Sequence, residues 1–482
     1  MNTLYPMLFA VFLPLAGSFF LPLAGRISGR LRNLMAFAVV AASFIFSLSL
    51  IPRAMAGETV AFSISLPLGI NLVLAADCLA VFMAGVSSFI SAVIILYSFP
   101  YISRYPNQNE YYFMVVLFLG AMMGLVFSAN LIFIYLFWEI TAITSWRLIG
   151  FFRERQHVLR ADKSFLVTVF GALVMLVGFI MVYQETGSFD LAAIKEGLGG
   201  GSIWSPAVLL ILFGIFSKSA TLPFQTWLPD AGVAPSPVTA LLHAAVLVKI
   251  GVYVFARLFI VTFPLAHFWH TAVPFIAGAS AVISAGAALV ETDIKRIIAY
   301  STISQIAFIF LGFSVASGIG IAGALLYILM HGLAKGGLFL CAGIVEHNTG
   351  VRDIRKLGGL MQGMPVTGMA FLFCAFSIMG IPPFGGFFGK YMVIAGSLES
   401  GHTLVSVVFL IAAVMTILYL FRLFNQVFMG EPQGSTAREG SPLMVLSVAI
   451  LAALSLLAGI YIGVFGRFLR VAVQQMTGGA AG

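Results

Sequence analysis

Six ionisable residues sit inside long apolar runs of the sequence. They are Glu139 in YLFWEITAITSW, Lys218 in FSKSATLPF, Lys249 in LLHAAVLVKIGVY, His331 and Lys335 in LMHGLAKGGLFL, and Lys390 in FFGKYMV. An ionisable side chain at the bilayer centre costs roughly 2.5–3.5 kcal/mol on insertion scales, so each is a candidate functional group. A carboxylate beside an ammonium keeps both charged, and separating the two changes the proton affinity of each. Glu139 reads as the one acid buried in mid-helix, with Lys218 as its expected partner. His331 and Lys335 are four residues apart and share a helical face. Two cations stacked there would repel, so one is expected to rest neutral, as a proton relay requires.

Other polar residues carry weaker signals. His243 precedes Lys249 by six residues and so falls on a different face. It reads either as part of the relay or as a core histidine bonded to a carbonyl. Arg147 lies two turns past Glu139 and about 80° round from it, facing the loop or competing with Lys218 for the carboxylate. Asp77 reads as a helix cap or interface contact and, at most, an auxiliary. Arg257 and Arg422 lie near span ends and are expected to snorkel to headgroups.

The elements that must position these groups are membrane helices. The 482 residues are 61% hydrophobic and 9% charged, against roughly 25% charged in an ordinary soluble domain. Apolar runs of about 20 residues predict spans near 4–24, 31–52, 72–98, 112–128, 130–151, 163–184, 207–223, 236–263, 271–290, 294–315, 320–345, 366–398, 403–428 and 443–466. The first has no basic residue before it and reads as a retained helix rather than a signal peptide. With this alternation one set of loops holds fourteen Lys and Arg residues and the other set, with the C-terminal tail, holds four. The positive-inside rule then places both termini outside. The net charge of +8 follows from these loops and does not call for nucleic acid.

The stretch FSKSATLPF also has an echo in FSIMGIPPF, residues 376–384. Phe216, Ser217, Pro223 and Phe224 align without a gap on Phe376, Ser377, Pro383 and Phe384. Each copy lies in a span interrupted by its proline, Pro223 or Pro383, with a lysine nearby. Broken helices in corresponding positions of two halves point to a transport site. In the expected topology the two broken spans run in opposite directions, so the repeats would be inverted.

The pieces FWEITAITSWRLIGF, KSATLPFQTWLPDAGVAPSPVTALLHAAVLVKIGVY, TDIKRIIAYSTISQ, HGLAKGGLFL and GIPPFGGFFGK together resemble one family. It comprises the antiporter-like proton-channel subunits of respiratory complex I, Mrp-type sodium/proton antiporters and membrane-bound [NiFe] hydrogenases. The resemblance covers nearly the whole chain. It implies an all-α polytopic membrane protein of about 14 transmembrane helices, with two inverted five-helix repeats that each contain a broken helix. The expected organisation is helices 1–3 over 1–98, a first repeat over 112–263, a second over 271–428, and a last helix with its tail over 443–482. By position, Glu139 and Lys218 resemble the family's gating pair, and Lys249 its central bridging lysine. His331 and Lys335 continue the relay, and Lys390 resembles the terminal lysine of the second broken helix. Arg147 stands where the family usually has an apolar residue.

The function so implied is proton translocation within a redox-driven pump, in a prokaryotic cytoplasmic membrane. The alternative is membership of an Mrp-type Na+/H+ antiporter without redox chemistry. Either setting implies other membrane subunits as partners, including sister antiporter-like chains. The redox setting adds peripheral subunits, in which iron–sulfur clusters, a NiFe centre or quinone would reside. No cofactor or metal is expected on this chain. Cys78, Cys341 and Cys374 are scattered singly, without cluster-ligand spacing, and the lysine beside His331 disfavours a haem on His243 and His331. An inactive structural anchor would have no reason to keep costly charges, and Glu139 argues against an anion channel.

Overall fold

A computed structural model describes residues 4–67, 70–431 and 437–479. The ends of the first and last expected segments, residues 1–3 and 480–482, lie outside the described residues. Apolar sequence at lipid depth folds into helices because each backbone polar group must then find a partner within its own segment. Among the described residues twelve helices are long and apolar enough to cross a membrane, from Leu4–Ile27 to Pro442–Ile460. Two shorter apolar helices, Ser205–Lys218 and Pro365–Met379, stop at the proline interruptions. The chain is a multi-pass integral membrane protein.

Short polar side chains start several of these helices. Asn130 Oδ1 accepts from the Ile132 amide, 2.9 Å away, at the head of Leu131–Ile149. Asp293 Oδ1 accepts from the Lys295 and Arg296 amides, 2.9 and 3.1 Å away, at the head of Ile294–Ser314. Each cap occupies an N-terminal amide that the helix itself leaves unpaired. Asn130 also pairs through a single β-bridge with Asp190. The same arrangement recurs 163 residues further along, between Asp293 and Asp353. The 32-residue helices Arg155–Thr186 and Gly318–Thr349 keep that offset, and each ends on a left-handed glycine, Gly187 and Gly350.

The breaks also correspond. Lys218 is the last residue of its helix, and the chain turns through Ala220 at φ 52° before Pro223. The second helix ends on Gly380 at φ 81°, passes Pro382 and Pro383, and resumes as Gly385–Glu399. The carbonyls freed at each break are reused. Ser217 O accepts from the Trp227 indole at 2.9 Å, and Ile378 O accepts from Lys390 Nζ at 2.7 Å. The segment 236–262 is continuous, with π-helical turns at Leu241–Ala245 and Arg257–Thr262.

Two elements differ from the sequence expectation. The span expected over 72–98 begins as a strand: Val60–Ser65 and Asn71–Ala76 form an antiparallel hairpin, and the helix runs Cys78–Ile102. Among the described residues the regular structure is therefore helical apart from this hairpin. The span expected over 366–398 is two helices, Pro365–Met379 and Gly385–Glu399, with the break at the expected proline. The tail expected after 466 is a further helix, Ile462–Thr477. It docks at the hairpin, where Gln475 Oε1 accepts from the Cys78 amide at 2.7 Å.

Candidate ion-translocation axis

Lys218, Lys249, His243, His331 and Lys335 are fully buried, and Lys390 is 4% exposed. The break puts Lys218 at a helix C-terminus, where a cation meets the unpaired carbonyl end. Its Nζ donates to the Trp138 carbonyl at 3.1 Å and lies 5.3 Å from the centre of the Trp138 ring. Trp138 is the neighbour of Glu139, so the lysine sits within electrostatic reach of the carboxylate without an ion pair. Glu139 is half-buried rather than buried, because its helix turns that side outward, and its Oε1 has no hydrogen-bond partner.

Lys249 follows the π-helical turn that carries His243. Its Nζ has no hydrogen-bond partner. It lies against Gly332, where an added methyl would collide with Nζ and with Ile90 Cδ1. Gly332 adjoins His331, whose two ring nitrogens are also unpartnered. Both nitrogens of His243 are likewise free of protein partners, so it is not the carbonyl-bonded core histidine that one sequence reading allowed. Its ring packs 4.4 Å from that of Phe339.

Beyond His331 the polar atoms are joined. Lys335 Nζ donates to Ser301 Oγ at 2.6 Å and to Ile298 O at 3.1 Å. The Tyr419 hydroxyl donates to the same Ser301 Oγ at 2.8 Å. Gln305 Nε2 reaches Tyr419 at 3.4 Å and Thr416 Oγ1 at 3.2 Å, and Gln305 Oε1 accepts from the Tyr327 hydroxyl at 2.6 Å. Lys390 Nζ then lies 5.8 Å from the centre of the Tyr327 ring and 4.7 Å from that of Phe308. A hydrogen-bonded row therefore runs from Lys335 to the Tyr327 hydroxyl, and Lys390 lies beside the Tyr327 ring without a hydrogen bond to the row.

Ser301, Gln305, Tyr327, Thr416 and Tyr419 were not singled out in the sequence. A signal was present: Tyr327, His331 and Lys335 recur at four-residue steps, and Ser301 and Gln305 are one turn apart, so each set shares a helical face.

Arg257 and Arg422 have different partners from those expected, and Arg147 takes the loop-side one of its two readings. Arg147 pairs with Glu110, which also binds Arg153 at 2.7 Å, so it does not compete for Glu139. Arg257 does not snorkel. It is 5% exposed and its Nη2 donates to Asp77 Oδ1 at 2.8 Å. Asp77 is a cap as well, accepting from the Ala80 amide at 2.9 Å, and Tyr253 joins the same cluster through Arg257 Nε at 3.0 Å. Arg422 donates to the carbonyls of Ala288 and Glu291, at 3.2 and 2.6 Å, closing a helix end. Among the described residues no three His, Cys, Asp or Glu side chains gather in a metal-binding group.

Comparison with known proteins places this arrangement. Residues 128–416 match the family described as NADH:quinone oxidoreductase/Mrp antiporter, transmembrane. The chain is 34% identical over 492 residues to the A1 component of a Na(+)/H(+) antiporter of Staphylococcus aureus, covering 95% of this chain and 60% of that one. It is 35% identical over 453 residues to the A1 component of the Na(+)/H(+) antiporter of Staphylococcus haemolyticus, covering 87% and 56%. The chain thus spans little more than half the length of these curated relatives. Among solved structures, a chain of the Mrp complex from Dietzia sp. DQ12-45-1b superposes with a TM-score of 0.90 over 100% of this chain and 99% of that one, at 20% identity. A chain of the membrane-bound sulfane sulfur reductase, an archaeal respiratory membrane complex, gives 0.89 over 98% and 97%, at 24% identity.

Proposed function

Because the chain belongs to the NADH:quinone oxidoreductase/Mrp antiporter transmembrane family, we propose that it is the proton-translocating, antiporter-like subunit of a multisubunit membrane complex. One observation carries the reading: a line of buried basic groups runs through both halves of the chain, from Lys218 beside Glu139 to Lys390. Four of its members, Glu139, His243, Lys249 and His331, keep polar atoms without protein partners. Buried polar atoms of this kind are ordinarily satisfied by water, so this stretch is suited to a hydrated path.

In this reading Glu139 and Lys218 set the charge at the start of the axis. Lys249 hands a proton to His331 and Lys335, and the row of Ser301, Tyr419, Gln305 and Tyr327 links Lys335 to Lys390. Two inverted repeats are proposed over 112–263 and 271–428, supported by the matching breaks and the common 163-residue offset. Both termini face outside a prokaryotic cytoplasmic membrane, and the chain itself carries no cofactor.

Two settings have separate support. The similarity in fold to a chain of a respiratory reductase complex favours a redox-driven pump, whose peripheral subunits would hold the iron–sulfur, NiFe or quinone chemistry. The sequence similarity to Na(+)/H(+) antiporter components favours an antiporter with no redox step. Proteoliposomes of the purified complex, loaded with a pH-sensitive dye, separate them. A pH change driven by a sodium pulse alone supports the antiporter, and one that requires an electron donor supports the pump. No coupled pH change under either condition overturns the proton-translocating role.

Two substitutions test the axis itself. Gly332→Ala places a methyl where Lys249 Nζ lies, and overpacking of this kind costs about 1–3 kcal/mol. Coupled proton movement is expected to fall several-fold while the protein still elutes as one species in size-exclusion chromatography. An unchanged rate would show that the position of Lys249 is unimportant. Tyr419→Phe removes the hydroxyl between Gln305 and Ser301 with little change in volume. It is expected to slow dye response by less than Lys335→Ala does; equal slowing would mean that Tyr419 acts on Lys335 itself.

A further inference from the structure

The helix Ile462–Thr477 divides one long groove into two hollows that meet at Leu469. The first hollow, about 700 Å³, is lined by Glu399, Arg470, Gln474 and Ser317 with small apolar neighbours. The second, about 480 Å³, is lined entirely by apolar side chains and glycine, including Phe82, Phe89, Phe465 and Phe468. Both share one wall. Ile319 and Ala322 of the helix Gly318–Thr349 line the first, and Leu326, Leu329 and Leu333 line the second. These positions follow one helical stripe, about 21 Å from end to end at 1.5 Å per residue.

Depth fits the change in chemistry. A 32-residue helix is about 48 Å long, against roughly 30 Å of hydrocarbon. Centred on the bilayer, its first two turns stand at headgroup level, and Leu326 to Leu333 lie within one leaflet. The polar hollow is therefore at the height of a headgroup and the apolar one at the height of an acyl chain.

The charges select the headgroup. Arg470 and Arg467 are exposed, and neither has an acidic partner among the described residues. Glu399 accepts from Ser317 Oγ at 2.8 Å through Oε2 alone. One hollow thus holds a cation and a carboxylate that are not paired with each other. An anionic lipid would leave the carboxylate facing its phosphate without compensation. A choline headgroup cannot donate a hydrogen bond to Glu399, and the hollow has none of the aromatic rings that hold quaternary ammonium groups. A primary ammonium satisfies the carboxylate and leaves the phosphate to the arginine.

We propose that this groove binds one phospholipid with an ethanolamine headgroup. Its phosphate rests on Arg470, its ammonium on Glu399, and one acyl chain lies along the stripe from Leu326 to Leu333. The bound lipid fastens the terminal helix to the helix that carries His331 and Lys335.

Native mass spectrometry of the full chain, purified with the subunits that co-extract, tests this against equimolar phosphatidylethanolamine, phosphatidylglycerol and phosphatidylcholine of identical chains. One phosphatidylethanolamine is expected to survive detergent exchange. Glu399→Gln is expected to reduce its preference over phosphatidylglycerol by about tenfold, and Arg470→Gln to reduce retention of phosphatidylethanolamine by a similar factor. Both side chains are exposed, so both variants should fold, and unchanged size-exclusion profiles check it. Equal retention of the three lipids would identify an annular lipid only. Unchanged preference in both variants, or cross-linking of a cysteine placed at 470 to a neighbouring subunit's polypeptide, would also overturn the proposal.

Discussion

Lys218→Ala is expected to lower ion-coupled proton movement by an order of magnitude or more while leaving the protein folded. The ammonium is fully buried at the end of a broken helix and bonds the carbonyl next to Glu139. It is thus the cation closest along the chain of contacts to the axis's one carboxylate, and removing it leaves that carboxylate without its nearest compensating charge. Part of its effect is structural, because a cation at a helix C-terminus stabilises the end of the helix by roughly 0.3–1 kcal/mol. That amount is too small to unfold a bundle whose described residues include twelve helices long enough to cross a membrane, so activity and folding should separate. The measurement is the initial rate of dye response in proteoliposomes, normalised to protein recovered as a single species. Glu139→Gln supplies the second arm. If the two residues act as one unit, the double variant is no slower than the worse single variant; multiplicative losses would mean that they act apart. An unchanged rate in Lys218→Ala would remove the residue from the mechanism.

Arg257→Leu should have the largest effect on stability. It strands the Asp77 carboxylate in a site where the guanidinium is its charge partner, and breaking a buried pair from one side costs about 3–5 kcal/mol. Asp77 also caps the helix Cys78–Ile102, which begins directly after the hairpin and is held by Gln475 of the terminal helix. A thermal melt in detergent should show a clear loss of apparent Tm. Replacing both partners with leucine removes the unpaired charge, so the double variant is expected to recover much of the loss. If the single and double variants melt together, the pair does not hold these elements. Transport in whatever folded Arg257→Leu protein remains should stay near that of the parent, because the cluster is a tie between elements rather than a member of the axis.

The axis was legible because a lysine in an apolar run is conspicuous without any knowledge of its neighbours. Lys218, Lys249, Lys335 and Lys390 all occupy buried positions. The partner of Arg257 was not legible: Asp77 lies 180 residues away, and only packing brings them together. The hairpin was missed because NLVLAA is as apolar as the helix that follows it, so the two merge in one hydrophobic run. The terminal helix was missed for the opposite reason. Arg467, Arg470, Gln474 and Gln475 lower its average hydropathy, while Leu469, Ala472, Val473 and Met476 form its buried stripe. The hydroxyls and the amide beyond Lys335 are cheaper to bury than charges, so they barely disturb a hydropathy profile. Their alignment as a row depends on three different helices meeting.

That row has a direction. Tyr327 donates to Gln305, Gln305 to Tyr419, and Tyr419 to Ser301, while Lys335 donates into Ser301 from the other side. Every link from Tyr327 onward points its hydrogen toward Lys335, and an amide cannot pass a proton by simple exchange as a hydroxyl can. In the proposed path, a proton leaving Lys335 for Lys390 would enter at Ser301 and next meet Tyr419 as a donor rather than an acceptor. If protons take this path, the hydroxyls must swing over and Gln305 must rotate before the next charge can pass, which would make the segment a turnstile with a reset step.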